Sequence, residues 1–269
     1  MSEKYWDRAW SLVDGCTPCS PGCEHCWAAA MEDRFRKNKL TDLITGKFFG
    51  AIMAHPERLS IPLKRKKPTV YAVWNDLFHE AVPFEFWVDA YKAMAFSANH
   101  TFLVLTKRPR RMLEWYATCP CPLPSIYHGL TVCNQQEADE KIPVFLQVPG
   151  KKFLSIEPML GAVDLAKKYG AACGKWRHAV DMIDAVILGG ETGPGARPMH
   201  PDWVRSVRDQ CQSVGVPFFF KSFGKYPPFG NYRLLDGRFH DDLPWADDPG
   251  DFEDYPTDEQ KEYFKRGGR

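Results

Sequence analysis

Four cysteines near the start of the chain have a spacing that suits metal binding. Cys16, Cys19, Cys23 and Cys26 lie within eleven positions, in the sequence CTPCSPGCEHC. Cys19, Cys23 and Cys26 alone form a Cys-x3-Cys-x2-Cys pattern, in which three thiolates can hold three irons of a 4Fe–4S cluster. The fourth iron then stays open to an external ligand. The pattern therefore predicts an iron–sulfur centre with one open coordination site.

The same thiols allow a second interpretation, a structural zinc site. Two Cys-x2-Cys pairs supply four thiolates, which is enough to close a tetrahedron around zinc. Zinc sites usually have a longer loop between the two pairs, whereas only three residues separate them here, which favours the cluster. Four thiols without a metal are the least favoured interpretation. Pro18, Pro21 and Gly22 indicate a tight loop, which would bring the four thiols close together. With zinc, the chain would be a zinc-stabilised nucleic-acid-binding protein without catalysis.

Composition limits the class of protein and its compartment. The 269 residues carry a formal net charge of +1 and are 44% hydrophobic, which allows a large core and gives no overall bias toward nucleic acid or membranes. No apolar run approaches the roughly 18–20 residues that cross a bilayer, and the first residues are polar rather than a signal peptide. We therefore expect a cytoplasmic protein without a membrane partner, whose nine cysteines serve metal binding or catalysis rather than disulfides.

The apolar segments alternate between strand-like and helix-like patterns. The predicted strands are Thr69–Trp74, Thr101–Leu105, Ile126–Val132, Phe153–Ile156, Ala185–Leu188 and Pro217–Phe220, with Trp10–Val13 as a weaker seventh. The predicted helices are Phe84–Ser97, Arg110–Thr118, Gln135–Lys141 and Pro201–Val214, and Pro143 is expected to limit the third of these. Such alternation predicts a parallel α/β sheet or barrel. We assign residues 1–235 to this domain and 236–269 to a polar C-terminal extension on its surface.

Polar side chains follow the predicted strands, at the edge where parallel α/β folds bind their ligands. A charged residue stands just after five of the six strands, which predicts a polar ligand, although polar residues also end strands without a functional reason. Glu157 precedes Pro158 and so avoids helical backbone, which favours a side chain that points from the strand end into the site. The strand-end residues are Asn75, Asp76, Thr106, Lys107, Arg108, Thr131, Cys133, Glu157, Gly189, Gly190, Glu191 and Lys221.

Longer blocks of sequence carry a resemblance to a known family. The blocks are DGCTPCSPGCEHCWAAAMEDRF, NDLFHEAVPFEF, FLVLTKRPRRM, FLSIEPMLGAVDL, VILGGETGPGARPMHPDWVRSVRDQC and GVPFFFKSFG, which together run from about residue 14 to about residue 224. In these blocks the chain resembles a phage- and prophage-encoded family of uncharacterised function that is grouped with the radical S-adenosylmethionine (SAM) enzymes.

The resemblance implies a fold and a chemistry. The implied fold is a partial or complete TIM-like β/α barrel of the radical SAM type. The implied cofactors are a 4Fe–4S cluster and SAM, which is cleaved to a 5′-deoxyadenosyl radical that abstracts hydrogen from a substrate. A flavodoxin- or ferredoxin-like electron donor is the implied partner. The phage context suggests isomerisation or rearrangement of a hypermodified thymidine or other nucleobase in DNA, in the cytoplasm of the host.

The family pattern and the simple spacing name different third ligands for the cluster. The pattern Gly-Cys-Thr-x-x-Ser-x-Gly-Cys-x-x-Cys aligns with Cys16, Cys23 and Cys26, whereas the spacing alone selects Cys19 in place of Cys16. The resemblance therefore implies the set with Cys16, and Cys19 is expected to be a spare or alternative ligand.

The resemblance also implies roles for the strand ends. Asp76, with Asn75 second, would bind the SAM ammonium group, although Asp76 could instead cap a helix. Lys107 or Arg108 would pair with the SAM carboxylate or a substrate phosphate, and Arg197 and Glu191 would contact SAM or substrate from a glycine-rich loop. Lys221 could anchor the substrate, donate a proton to it, or be a lysine whose apolar stem is buried and whose charge reaches solvent. Cys133 could donate hydrogen or be a small buried side chain. The expected cofactor-binding residues are Trp27, Asn75, Asp76, Thr106, Lys107, Thr131, Glu157, Gly189 and Gly190, and the expected catalytic residues are Cys133, Lys221 and Glu191.

Overall fold

The structure, a computed structural model, describes residues 4–31, 52–170, 176–225 and 233–246. The described strands are β1 (Arg8–Ser11), β2 (Val13–Asp14), β3 (Met53–Ala54), β4 (Val70–Trp74), β5 (Thr101–Thr106), β6 (Ile126–Thr131), β7 (Lys151–Ile156), β8 (Lys168–Gly170), β9 (Trp176–His178), β10 (Ala185–Gly189) and β11 (Phe218–Ser222). The α-helices that lie wholly within the described residues are α1 (Phe84–Ala95), α2 (Pro109–Thr118), α3 (Gln135–Phe145) and α4 (Pro201–Val214). None of the helices in these ranges is long and apolar enough to cross a membrane.

One parallel sheet organises the molecule. Its seven strands run in the order β1-β4-β5-β6-β7-β10-β11, and every neighbouring pair is parallel. The order follows the chain without reversal, so right-handed crossovers place the connecting helices on one face. The sheet curls toward its other face and forms a half-barrel. The predicted parallel α/β fold is confirmed, in the form of an open sheet compatible with a partial β/α barrel.

The strand and helix predictions hold except at a few boundaries and connections. Helix α4 has the predicted bounds, but α3 continues through Pro143 to Phe145, so the expectation that this proline limits the helix is wrong. Ile142 and Phe145 are fully buried on either side of the proline, and this packing offsets the lost backbone hydrogen bond. The short antiparallel pairs β2–β3 and β8–β9 were not predicted.

The sheet separates two hydrophobic clusters. The larger one lies between the sheet and the helices and includes Trp10, Phe102 and Trp87. The smaller one lines the concave face and contains Leu103, Tyr127, Phe153, Ala185, Ile187, Phe219 and Trp245. Successive strand residues point to opposite faces, which explains why Phe102 and Leu103 belong to different clusters.

The segment after β11 completes the concave cluster. Trp245 is 3% exposed, contacts the rings of Tyr127 and Phe153 with centroids 4.9 and 5.6 Å away, and donates its indole hydrogen to the Tyr5 carbonyl at 2.9 Å. Trp245 therefore packs into the domain from within residues 236–246, of which Phe239 is 47% exposed. Residues 247–269 lie outside the described residues.

A buried histidine joins two helices to the sheet. His128, on β6, lies 2.6 Å from the Tyr116 hydroxyl and 3.2 Å from the Tyr91 hydroxyl through Nε2, and its Nδ1 lies 3.3 Å from the Lys151 carbonyl. Because a carbonyl can only accept, Nδ1 carries the hydrogen and Nε2 accepts from a tyrosine. Burial lowers the pKa of His128 to about 3, so the ring is neutral in the folded protein.

This neutral histidine predicts a loss of stability in mild acid. The unfolded chain protonates His128 below about pH 6.5 and the folded protein does not until about pH 3, so the unfolding free energy falls across that window. We expect a contribution of about 2 kcal/mol lost at pH 5 relative to pH 7.5. Urea unfolding at both pH values should show a smaller difference for His128→Gln than for the wild type. His200→Gln, at a side chain that is 59% exposed, is the control and should keep the wild-type difference.

Candidate functional site

A cavity of about 500 Å³ opens at the carboxyl ends of the strands, a volume suited to a cofactor-sized ligand. Most of the residues predicted to bind or react are brought together on its walls. Cys133, Gly189 and Arg197 are the three predicted residues that do not line it. The predicted residues that do are Cys16, Cys19, Cys23, Cys26, Trp27, Asn75, Asp76, Thr106, Lys107, Arg108, Thr131, Glu157, Gly190, Glu191 and Lys221.

The cysteine loop (residues 16–26) forms one wall through local turn chemistry. Ser20 has extended backbone and its hydroxyl accepts a hydrogen bond of 3.2 Å from the Gly22 amide, which starts a 3-10 turn over Pro21–Cys23. Gly22 is required there, because a Cβ at this position would lie 2.5 Å from the sulfur of Cys133. The loop is thus seated directly on the end of β6.

The loop thiols share an electropositive neighbourhood. A hydrogen bond between Cys19 and Cys23 lowers the pKa of Cys23 and raises that of Cys19. Burial lowers the pKa of Lys107, but the surrounding thiols, Cys23 first among them, outweigh burial and the net pKa is raised. The charge of Lys107 also lowers the pKa of Cys23 and so favours its thiolate, the form that binds metals. Burial raises the pKa of Cys16.

The four thiols therefore supply suitable donors for an iron–sulfur cluster. Within the described ranges, no group of three or more His, Cys, Asp or Glu side chains is gathered as for a single metal ion. In a 4Fe–4S cluster each thiolate binds a different iron, so three thiolates need not converge on one point. All four cysteines line the same cavity, so its lining does not distinguish the two ligand sets drawn from the sequence.

Asp76 lines the cavity but is occupied by the protein itself. Its Oδ1 accepts from the Phe78 amide at 3.1 Å and the Thr106 hydroxyl at 2.6 Å. Its Oδ2 accepts from Arg108 Nη1 at 2.8 Å and the Lys107 amide at 3.4 Å. Four donors use the acceptor positions of one carboxylate. The geometry gives Asp76 and Thr106 a supporting role at the ends of β4 and β5.

Asn75 also has a local structural partner. Its φ of 61° lies in the left-handed region, which asparagine tolerates better than most residues, and its side-chain amide donates to the Val13 carbonyl at 2.6 Å. This contact fixes the end of β4 to the strand that leads into the cysteine loop.

The two predicted contacts of the glycine-rich loop after β10 bind each other. Glu191 is 3% exposed and accepts from the Arg197 amide and Nε at 2.9 and 3.0 Å, and from its Nη2 at 2.6 Å. Burial raises the pKa of Glu191, but these hydrogen bonds outweigh it and the net pKa is lowered. Glu191 is therefore an ionised carboxylate in an ion pair, which does not suit a proton donor.

An ion pair lies on the cavity wall at the ends of β7 and β11. Lys221 pairs with Glu157, and both side chains are partly exposed to the cavity. Tyr5 also lines the cavity, and burial together with the nearby Glu157 charge raises the pKa of its hydroxyl. Gly189, the last residue of β10, lies between Glu157 and Lys221. A Cβ on Gly189 would be 3.4 Å from each of these two side chains. This wall can bind a polar ligand through either side chain.

An aromatic group that was only partly predicted lies at the same cavity. The Trp27 and Trp74 rings are 5.1 Å apart, the Trp6 and Trp74 rings are 5.7 Å apart, and all three residues line the cavity. Trp27 is 45% exposed, which leaves a face available to a planar ligand. Side chains alternate between the two faces of a strand, so Trp74 on β4 points to the same face as Ala72, which lines the cavity. This alternation could have indicated that Trp74 lines the cavity. Trp6 and Tyr5, before the first strand, had no such signal.

Cys133 lies behind the cysteine loop. Its sulfur is fully buried, 3.5 Å from the Ser20 hydroxyl, and its amide donates to Glu137 at 2.9 Å. Burial raises the pKa of its thiol to about 11. This position fits the interpretation as a small buried side chain better than that of a hydrogen donor to a ligand.

Fold and site together define an α/β protein with a thiol-lined cavity at the carboxyl edge of a barrel-like sheet. Residues 2–244 match the family described as "Protein of unknown function (DUF5131)", and the chain belongs to this family. The matched region passes residue 235, in agreement with the packing of the following segment into the domain. No curated protein and no solved structure matches the chain.

Proposed function

We propose that this protein is a radical SAM enzyme whose cysteine loop holds a 4Fe–4S cluster through Cys16, Cys23 and Cys26. The observation that carries the proposal is that the loop thiols and the polar strand ends line one cavity of about 500 Å³. A purely structural zinc site would not need a cavity of cofactor size beside it. The barrel-like fold supports the radical SAM assignment that the sequence resemblance suggested.

The donor set fits the proposed cofactors. When bound, the cluster supplies an electron that cleaves SAM and releases a 5′-deoxyadenosyl radical for hydrogen abstraction. A flavodoxin- or ferredoxin-like protein is the proposed source of that electron. Lys107 offers a charge for the carboxylate of SAM, and Trp27 offers a ring face for adenine.

The wall formed by Glu157 and Lys221 is the proposed substrate side of the cavity. Glu157 can accept hydrogen bonds from ligand hydroxyls, and Lys221 can hold an anionic group or a proton beside the substrate. Trp6 and Trp74 add aromatic surface to the same cavity. These features suit the substrate that the resemblance suggested, a hypermodified thymidine or nucleobase of phage DNA that is isomerised or rearranged.

Metal analysis of protein purified without oxygen tests the cofactor. We expect about four irons and about four sulfides per chain, with the brown colour of an iron–sulfur protein. One zinc per chain without inorganic sulfide would instead support the zinc-stabilised nucleic-acid-binding protein and would end the catalytic proposal.

Single cysteine variants decide between the two ligand sets. We expect Cys16→Ser to lose the cluster absorbance after anaerobic reconstitution and Cys19→Ser to retain it, because the family pattern assigns Cys16 as a ligand. Cys121→Ser, at an exposed cysteine outside the loop, is the matched control. Loss in Cys19→Ser with retention in Cys16→Ser would transfer the third ligand to Cys19.

A further inference from the structure

Arg108 holds the first part of the cysteine loop. Its side chain is 6% exposed, and its Nη2 donates to the carbonyl and the hydroxyl of Thr17, the residue after Cys16, at 3.1 and 2.9 Å. Its Nη1 donates to Asp76 at 2.8 Å and its Nε to Glu80 at 2.8 Å. All three guanidinium nitrogens are therefore engaged, so Arg108 is not available as the expected partner of a ligand carboxylate.

Arg197 holds the second part of the loop from the opposite side. Its Nη2 donates to the Pro21 carbonyl at 2.9 Å and its Nη1 to Glu24 at 2.8 Å, while the buried Glu191 pairs with Nε and Nη2. The backbone nearby is in tight contact with the loop, since a Cβ on Gly193 would lie 2.4 Å from the His25 carbonyl. The glycine-rich loop thus packs directly on the second half of the cysteine loop.

The two arginines, Arg108 and Arg197, share one arrangement, which we call the arginine clamp. Each guanidinium joins a carboxylate at the end of a sheet strand to a backbone carbonyl of the cysteine loop. Within the described loop, the backbone has a β-bridge at Cys16 and a 3-10 turn at Pro21–Cys23, and these anchors add side-chain contacts to both parts. A planar guanidinium can make both contacts at once, whereas a lysine ammonium cannot reproduce that geometry.

We propose that Arg108 and Arg197 are positioning residues that hold the cysteine loop in its metal-binding conformation. Supporting residues of this kind orient the ligands of a metal site and raise its affinity. The part of the proposal that concerns the cluster rests on the proposed function. The part that concerns the loop does not, because every contact it uses joins two groups of the protein itself.

The test uses Arg108→Lys, Arg197→Lys and the control Arg205→Lys, whose arginine makes its ion pairs with Asp202 and Asp236 at the surface. In chelator-treated, metal-free protein, the alkylation rate of Cys23 by iodoacetamide is measured by peptide mass spectrometry. Cys23 is 8% exposed, so its reaction reports opening of the loop. We expect both clamp variants to react about tenfold or more faster than the wild type, as expected for loss of a charged hydrogen bond. We expect Arg205→Lys to match the wild type.

Reconstitution supplies a second readout, since both clamp variants should take up several-fold less iron than Arg205→Lys. Alkylation of Cys23 within about twofold of wild type in both variants would overturn the proposal. Faster alkylation in only one variant would overturn the two-sided clamp and leave a single anchor. If Arg108→Lys fails to fold, the partly exposed Arg197 decides the test. If the wild-type protein takes up no iron but both clamp variants show faster alkylation of Cys23, the cluster is refuted and the clamp is not.

Discussion

Replacing Cys23 by serine is expected to reduce iron after anaerobic reconstitution from about four atoms per chain to about none. Cys23 belongs to both candidate ligand sets and lies at the cavity wall, where its hydrogen bond with Cys19 lowers its pKa and favours the thiolate. A serine hydroxyl stays protonated at neutral pH and is a poor iron ligand. Iron and sulfide assays with the visible spectrum measure the change.

The control separates loss of the ligand from loss of the fold. Cys121→Ser changes an exposed cysteine outside the loop and should keep its iron, and both variants should unfold at similar denaturant concentrations in the metal-free state. A Cys23→Ser protein that binds iron and sulfide as the wild type does would show that the loop is not the cluster site.

Trp245→Ala should destabilise the domain by about 3–5 kcal/mol, the usual cost of truncating a buried large aromatic side chain. The indole fills the concave face of the sheet against Tyr127 and Phe153, and it anchors the backbone at Tyr5. Its removal leaves a cavity and an unpaired carbonyl next to the floor of the site. Urea unfolding of the metal-free protein measures the loss.

Phe239→Ala is the matched control for this prediction, because Phe239 belongs to the same segment and is 47% exposed. We expect its effect to stay within about 0.5–1 kcal/mol. Equal effects of the two substitutions would contradict the conclusion that Trp245 completes the concave cluster of the core.

Much of the fold could be predicted because the strands are short apolar runs with helical patterns between them. Phe153–Ile156 and Ala185–Leu188 have almost no competing interpretation, since runs buried on both faces occur in parallel sheets. The path of the chain past β11 could not be predicted in this way. Trp245 is a single aromatic residue among acidic and turn-forming neighbours, and its burial depends on a cavity that only the assembled strands create.

The sequence predicted which residues lie at the site better than it predicted what each of them does there. Strand-end position identified Asp76 and Glu191 because parallel strands meet at one edge. It could not show that both carboxylates are taken by Arg108 and Arg197, because those partners are brought close only by the folded loops. Charge next to a strand end indicates proximity to a site, and only the hydrogen-bond partners separate a supporting residue from one that can meet a ligand.

Cleavage of SAM by the reduced, anaerobically reconstituted protein tests the central claim most directly. The wild type, given dithionite and SAM, should form 5′-deoxyadenosine and methionine, detected by chromatography and mass spectrometry, and Cys23→Ser should form neither. A wild-type protein with its full complement of iron and sulfide that leaves SAM intact would contradict the proposed enzyme.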